Sequence, residues 1–171
     1  MSGRVVRGAV RPGGGARGLH GLWRVTVADG SMRPAIEPAD WLLVDPTVRG
    51  WPRRGSIVVF REPVSGVLAI KRVAARPGDW VPFADAWLQL GPDEAWLIGD
   101  ATDEALEVAG MGAAIDSRRY GPVPVDALRG RAWFRYGPLR RIGRIGRPPG
   151  DLLRRGRAGP IPAHPTPPEV A

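Results

Sequence analysis

Two side chains have the chemistry of a nucleophile and its base: Ser31, within DGSMRPAI at 29–36, and Lys71, within VLAIKRVA at 67–74. A hydroxyl is a weak nucleophile unless a neighbouring group takes its proton. Histidine is the usual acceptor, but His20 and His164 stand in glycine- and proline-rich ends of the chain. Lysine is the remaining candidate. Lys71 is the single lysine among 25 basic side chains; the others are arginines. Arginine holds its proton across the accessible pH range, whereas a desolvated lysine amine can lose one. A lysine kept in so arginine-biased a chain marks a position where a neutral amine is useful. Strand alternation puts Val67, Ala69, Lys71 and Val73 on one face and sends Arg72 to the other, toward water. Each residue also has a plainer explanation. Gly-Ser is a common turn pair, and a lone lysine can snorkel from a strand edge. Together they form a Ser–Lys pair, a known replacement for Ser–His–Asp.

The elements that must hold this pair read as β. Segments WRVTVA (23–28), WLLVD (41–45), SIVVF (56–60), VLAIKRVA (67–74) and RAWFRY (131–136) are apolar or alternating and are separated by Gly, Pro and Asp. WLQL (87–90) and EAWLIGD (94–100) read as a hairpin about GPD. Only 101–115 has a helix-like composition, weakened by its glycines. The expected fold is mainly β and antiparallel, a sandwich or partly open barrel. Its core is supplied in part by the seven tryptophans.

Formal net charge is +8. It lies at the ends: residues 1–24 carry five arginines and no acid, and 139–171 carry seven against Asp151 and Glu169. The middle, 25–138, holds 13 basic and 15 acidic side chains and is nearly neutral. Composition therefore divides the chain into a disordered Arg/Gly-rich arm at 1–22, a folded domain at 23–138 that would carry the Ser–Lys pair, and a disordered Pro/Arg-rich tail at 139–171. The arginines of the ends are suited to weak contact with an anionic membrane or nucleic acid. There is no cysteine, so thiol nucleophiles and disulfides are excluded, and two distant histidines make no zinc site. No metal and no cofactor is expected. No apolar run approaches the roughly 18–20 residues of a membrane span. The expectation is a soluble cytoplasmic protein, or one held peripherally at a membrane surface.

Four stretches, GSMRP (30–34), RRGSIVVF (53–60), IKRVAARPGD (70–79) and GD (99–100) with DSRRYGPV (116–123), resemble in order the blocks of signal peptidase I, the Ser/Lys proteases that trim leader segments from exported proteins. The resemblance covers about residues 23–138. It implies Ser31 as nucleophile and Lys71 as general base. Gly30, Met32 and Pro34 would shape and support the serine turn, and the Ser31 amide would serve the oxyanion. Asp100, Asp116 and Arg118 would form a structural block beside the site, with an Asp–Arg pair buttressing the loop. The partner would be a precursor protein bound as an extended peptide, with small side chains next to the cut and two residues before it. The chain departs from the family in lacking a membrane span before the serine and in a long gap between Asp100 and Asp116. Ala114 stands where a serine often helps hold the lysine. Asp29 stands where some members place a hydroxyl, and it is expected to turn to solvent. The resemblance extends to small soluble members that process nickel superoxide dismutase. Self-cleaving repressors of related fold are set aside, because 22 residues before the core are too few for a DNA-binding domain. The alternative from another class is a catalytically impaired β-domain that binds peptide, nucleic acid or lipid.

Overall fold

A computed structural model describes residues 10–12 and 23–147. The strands are β1 (Val10–Pro12), β2 (Trp23–Val27), β3 (Trp41–Asp45), β4 (Ile57–Arg61), β5 (Leu68–Ala75), β6 (Trp80–Phe83), β7 (Ala86–Gln89), β8 (Glu94–Ile98), β9 (Val123–Pro124), β10 (Leu128–Gly137) and β11 (Gly143–Arg144). Two short helices, α1 (Asp103–Val108) and α2 (Ser117–Tyr120), lie between β8 and β9. The main sheet runs β1-β2-β3-β10-β4-β5-β8-β9, with β11 beside β10, and every pairing in it is antiparallel. The backbone of β1 comes against β5, so the sheet curls toward a partly open barrel.

Apolar side chains cover both faces of this sheet. Val25, Leu42, Val59 and Ile70 pack on one side with Met32 and Ile36. Val58, Phe60, Ala69, Val73 and Leu97 pack on the other. β5 is the central plank, with seven of its eight residues buried. Burial on both sides corrects the placing of Arg72: it is 2% exposed, not in water. The alternation in 67–74 assigns the two faces properly, but neither face of β5 is wet.

Two other expectations are corrected. Residues 87–98 do not form a hairpin. β7 pairs with β6 in a separate two-stranded sheet, while β8 pairs with β5 and β9. Pro82 lies inside β6, and proline within a run argues against a strand unless the run is a short edge. The ordered region also passes the boundaries drawn from composition. β1 lies inside the supposed arm, and beyond residue 138 a 3-10 turn (Leu139–Arg141) and β11 fold back, with Ile145 against the core. Composition measures what side chains can bury, whereas a sheet edge offers backbone N–H and C=O groups to any extended segment. The rest of both arms, 1–9, 13–22 and 148–171, lies outside the described residues.

The helix-like stretch 101–115 yields one short helix, α1. Thr102 caps it by accepting from the Ala105 amide at 3.0 Å, and its hydrogen bonding ends around Gly110, which has φ +66°. No helix among the described residues is long and apolar enough to cross a membrane.

Candidate active site

The chain leaves β2 and turns sharply at Gly30, whose carbonyl accepts from the Arg33 amide at 3.1 Å, while the Met32 carbonyl accepts from Ile36 at 2.9 Å. Met32 and Ile36 are fully buried in the core, which pins the turn from beneath. Met32 is therefore an anchor, and the exposed Pro34 borders the turn from outside. Gly30 is buried where a Cβ would stand 2.7 Å from Met111 Cε, so the turn accepts no side chain there unless Met111 moves.

Across from this turn, Lys71 sits in the middle of β5, paired with Val58 of β4. Ser31 and Lys71 are both 0% exposed. Lys71 Nζ donates to Ser31 Oγ at 2.9 Å. Among the described residues Ser31 is the one hydrogen-bond partner of this amine, and Ala114 offers none in place of the absent serine hydroxyl. Burial pushes the Lys71 ammonium below its ordinary range. The carboxylates of Asp116, Asp29 and Asp100 pull the other way, and Arg118 adds to the lowering, yet desolvation prevails.

The Asp–Arg buttress is Asp116–Arg118. Asp116 is buried and caps α2 through the Arg118 amide at 3.1 Å. Its oxygens also accept from Arg118 Nε at 3.0 Å and Nη2 at 2.9 Å. Oδ2 further accepts from the Gly99 amide at 3.1 Å. Next to it, Ser117 Oγ accepts from the Leu97 amide at 2.9 Å, so the start of α2 is stitched to β8. Asp100 belongs to a different pair. It takes Arg72 Nε at 2.7 Å and Nη2 at 2.5 Å, both residues almost wholly buried. The expected block thus splits into two ion pairs, one on each side of Gly99.

Residues 22–95 match the family described as signal peptidase, peptidase S26. A signal peptidase I of Leptolyngbya laminosa is 31% identical over 143 residues, 70% of this chain and 70% of that protein. Mitochondrial inner membrane protease subunit 1 of Xenopus tropicalis is 33% identical over 143 residues, 78% of this chain and 80% of that protein. The chain belongs to the signal peptidase family. It is a serine endopeptidase of the signal peptidase I type, a protease that removes leader peptides and binds precursor peptides as substrate.

For a signal peptidase, two features of the site were not foreseen from sequence. Asp29 does not turn to solvent: its Oδ1 accepts the Ser31 amide at 2.9 Å. The cause is local, since an aspartate readily bonds a backbone N–H two residues on. Gly99 is the second. A Cβ there would stand 2.7 Å from the Ser31 carbonyl oxygen and 3.5 Å from Lys71 Nζ, and the Ser31 carbonyl also accepts from the Ala101 amide at 3.0 Å. The glycine lets β8 approach the serine backbone directly. The sequence signal for it is the GD pair at 99–100, in which the glycine rather than the charge meets the serine. Among the described residues no three His, Cys, Asp or Glu side chains gather as metal ligands.

Proposed function

We propose that this signal peptidase cuts with Ser31 as nucleophile and Lys71 as general base, removing an N-terminal leader or pro-segment from a precursor protein. The observation that supports it is the 2.9 Å contact between two fully buried groups, with burial favouring the neutral amine. The unprotonated Nζ takes the Oγ proton as Oγ bonds to the scissile carbonyl carbon. The resulting ammonium then gives that proton to the departing amine as the peptide bond breaks, leaving the N-terminal segment as an ester on Ser31. Water, deprotonated by the same amine, hydrolyses the ester. Asp116 and Arg118, through Gly99, hold β8 against the serine turn and so position both reacting groups.

The catalytic unit is centred on 23–138, with 10–12 and 139–147 packed on it. The finer reading of substrate is a precursor whose N-terminal extension binds as an extended strand. Nickel superoxide dismutase precursor is the first candidate, on the resemblance to small processing peptidases. The test is incubation of the purified chain with that precursor and with a leader-bearing exported protein, read by intact mass. A single new N-terminus from wild type and none from Ser31→Ala is the expected result. Equal cleavage by both would overturn the assignment of Ser31.

One observation favours a second reading, an impaired peptide-binding domain: the Ser31 amide is already engaged by Asp29. Precursor binding without cleavage, in wild type and in Asp29→Ala alike, would support it.

A further inference from the structure

Lys71 and Arg72 are neighbours on β5 and project to opposite sides of the sheet. Behind the Ser31–Lys71 pair, on the Arg72 side, lies a cleft of about 640 Å³. Its lining includes Arg53, Arg54, Arg72, Arg131, Arg144 and Arg147 and no carboxylate. Two of these charges are answered within the fold, Arg72 by Asp100 and Arg54 by Asp79. The other four, Arg53, Arg131, Arg144 and Arg147, enter no ion pair among the described residues. The contrast is with residues 25–138 as a whole, where acids slightly outnumber bases. Several guanidiniums without an ion pair therefore share one concave place, and of these Arg131 alone has a carboxylate, Asp45, beside it on the neighbouring strand.

Like charges collected around a cavity repel one another, and the arrangement is relieved by an anion. Arg53, Arg144 and Arg147 are exposed and can turn their guanidiniums toward an occupant of the cleft. Guanidinium forks match the oxygens of a phosphate group better than those of a monodentate anion. Trp133, 41% exposed, lines the same cleft and offers a flat apolar wall beside the charges. A bare ion would leave that wall unused, whereas a phosphate carrying an organic portion would cover it.

We propose that this arginine-lined cleft, separate from the proteolytic site, binds a phosphate ester, supplied either as a soluble ester or as an anionic phospholipid headgroup. Two probes separate the sources: glycerol 3-phosphate in titration calorimetry, and phosphatidylcholine vesicles containing phosphatidylglycerol in co-sedimentation. Both use the full chain. The variant is Arg53→Gln with Arg144→Gln, both exposed side chains. The control removes the same charge elsewhere, Arg49→Gln with Arg119→Gln, also exposed and outside this cleft. Each arginine near a phosphate-bearing surface contributes about fivefold, so the cleft pair should weaken binding about twenty-five-fold. The control pair should change it far less. Saturable binding of glycerol 3-phosphate with this pattern identifies a soluble ester, and vesicle binding alone with this pattern identifies a headgroup. Equal weakening by both pairs would show only diffuse attraction to the basic chain and would overturn the proposal. So would absence of binding to both probes. The cleft variant should keep its melting temperature and its cleavage of a short peptide.

Discussion

The Ser31 amide donates to Asp29 Oδ1 at 2.9 Å, two residues back along the same turn. The donor proposed to meet the negative oxygen of the tetrahedral intermediate is thus held by a negative oxygen of the protein itself. A substrate carbonyl reaching that amide must displace the carboxylate or share the hydrogen with it. An oxyanion-hole donor is worth about 10²–10³ in turnover. Asp29→Ala, which releases the amide, is expected to raise kcat/KM by about tenfold or more, within that limit. A fall in kcat/KM would mean that Asp29 holds the turn in its working shape. Asp29→Asn separates the two effects. It keeps an acceptor for the amide but removes a charge that favours the ammonium form of Lys71. Its pH–rate profile should therefore move to lower pH even where its maximal rate does not rise.

Gly99 makes a sharper geometric claim. The Cβ of Gly99→Ala would lie 2.7 Å from the Ser31 carbonyl oxygen, a backbone atom with little room to yield. Either the serine turn or β8 must shift. Displacing a reacting group by about 1 Å can cost about 10²-fold. The expected outcome is a kcat lowered by about that factor with a smaller change in KM. Unchanged kcat would show that the turn tolerates the push and that the close approach has no catalytic role.

Much of the fold was legible in the sequence, and the parts that were not share a cause. β2, β3, β4, β5 and β10 announce themselves by apolar alternation between turn residues, and the proposed pair Ser31 and Lys71 stands out through the GSMRP turn and the single lysine of the chain. Arg72, Asp29 and the pairing of β7 were misread because each depends on what a neighbour does. Arg72 is buried because a second layer of side chains and Asp100 cover its face of the sheet, which no local pattern in 67–74 records. Asp29 is held inward by its bond to the Ser31 amide, which no pattern of hydropathy records. β6 exists because β7 is beside it, despite Pro82. The placing of Gly99 is a packing fact and has no periodicity at all.

Arg72 supports the fold rather than the chemistry. Its side chain is 2% exposed and that of Asp100 is 0% exposed. Arg72→Met removes the bidentate partner of a buried carboxylate. Breaking a buried pair from one side costs about 3–5 kcal/mol, so a matching loss in urea denaturation is expected. Replacing both, Arg72→Met with Asp100→Leu, should recover a large part of it, because the stranded charge is then gone. If the single variant were as stable as wild type, the pair would have no structural weight.

Lys71 offers the most discriminating test, because activity and stability should move in opposite directions. Lys71→Met keeps the length and apolar stem of the side chain and removes the amine. Cleavage should fall to the level of Ser31→Ala, since the proton of Oγ then has no acceptor. The fold should gain. Burial lowers the folded pKa of Lys71 beneath the ordinary value near 10.4. Between those two values the unfolded chain binds a proton that the folded chain does not, so stability rises with pH through that window. Below the folded pKa the burial cost is present in full, and it fades as pH climbs toward about 10. Methionine carries no such cost. Lys71→Met should thus melt above wild type in mildly acidic buffer, and the gap should narrow steadily as pH rises. The wild-type kcat/KM should climb over the same window, because the amine that stabilises the fold when neutral is also the amine that can take the proton. Arginine at this position would remain charged and should lose both the activity and the stability. A Lys71→Met protein less stable than wild type at every pH would show that the bond to Ser31 outweighs desolvation. A Lys71→Met protein that still cleaved would remove Lys71 from the reaction.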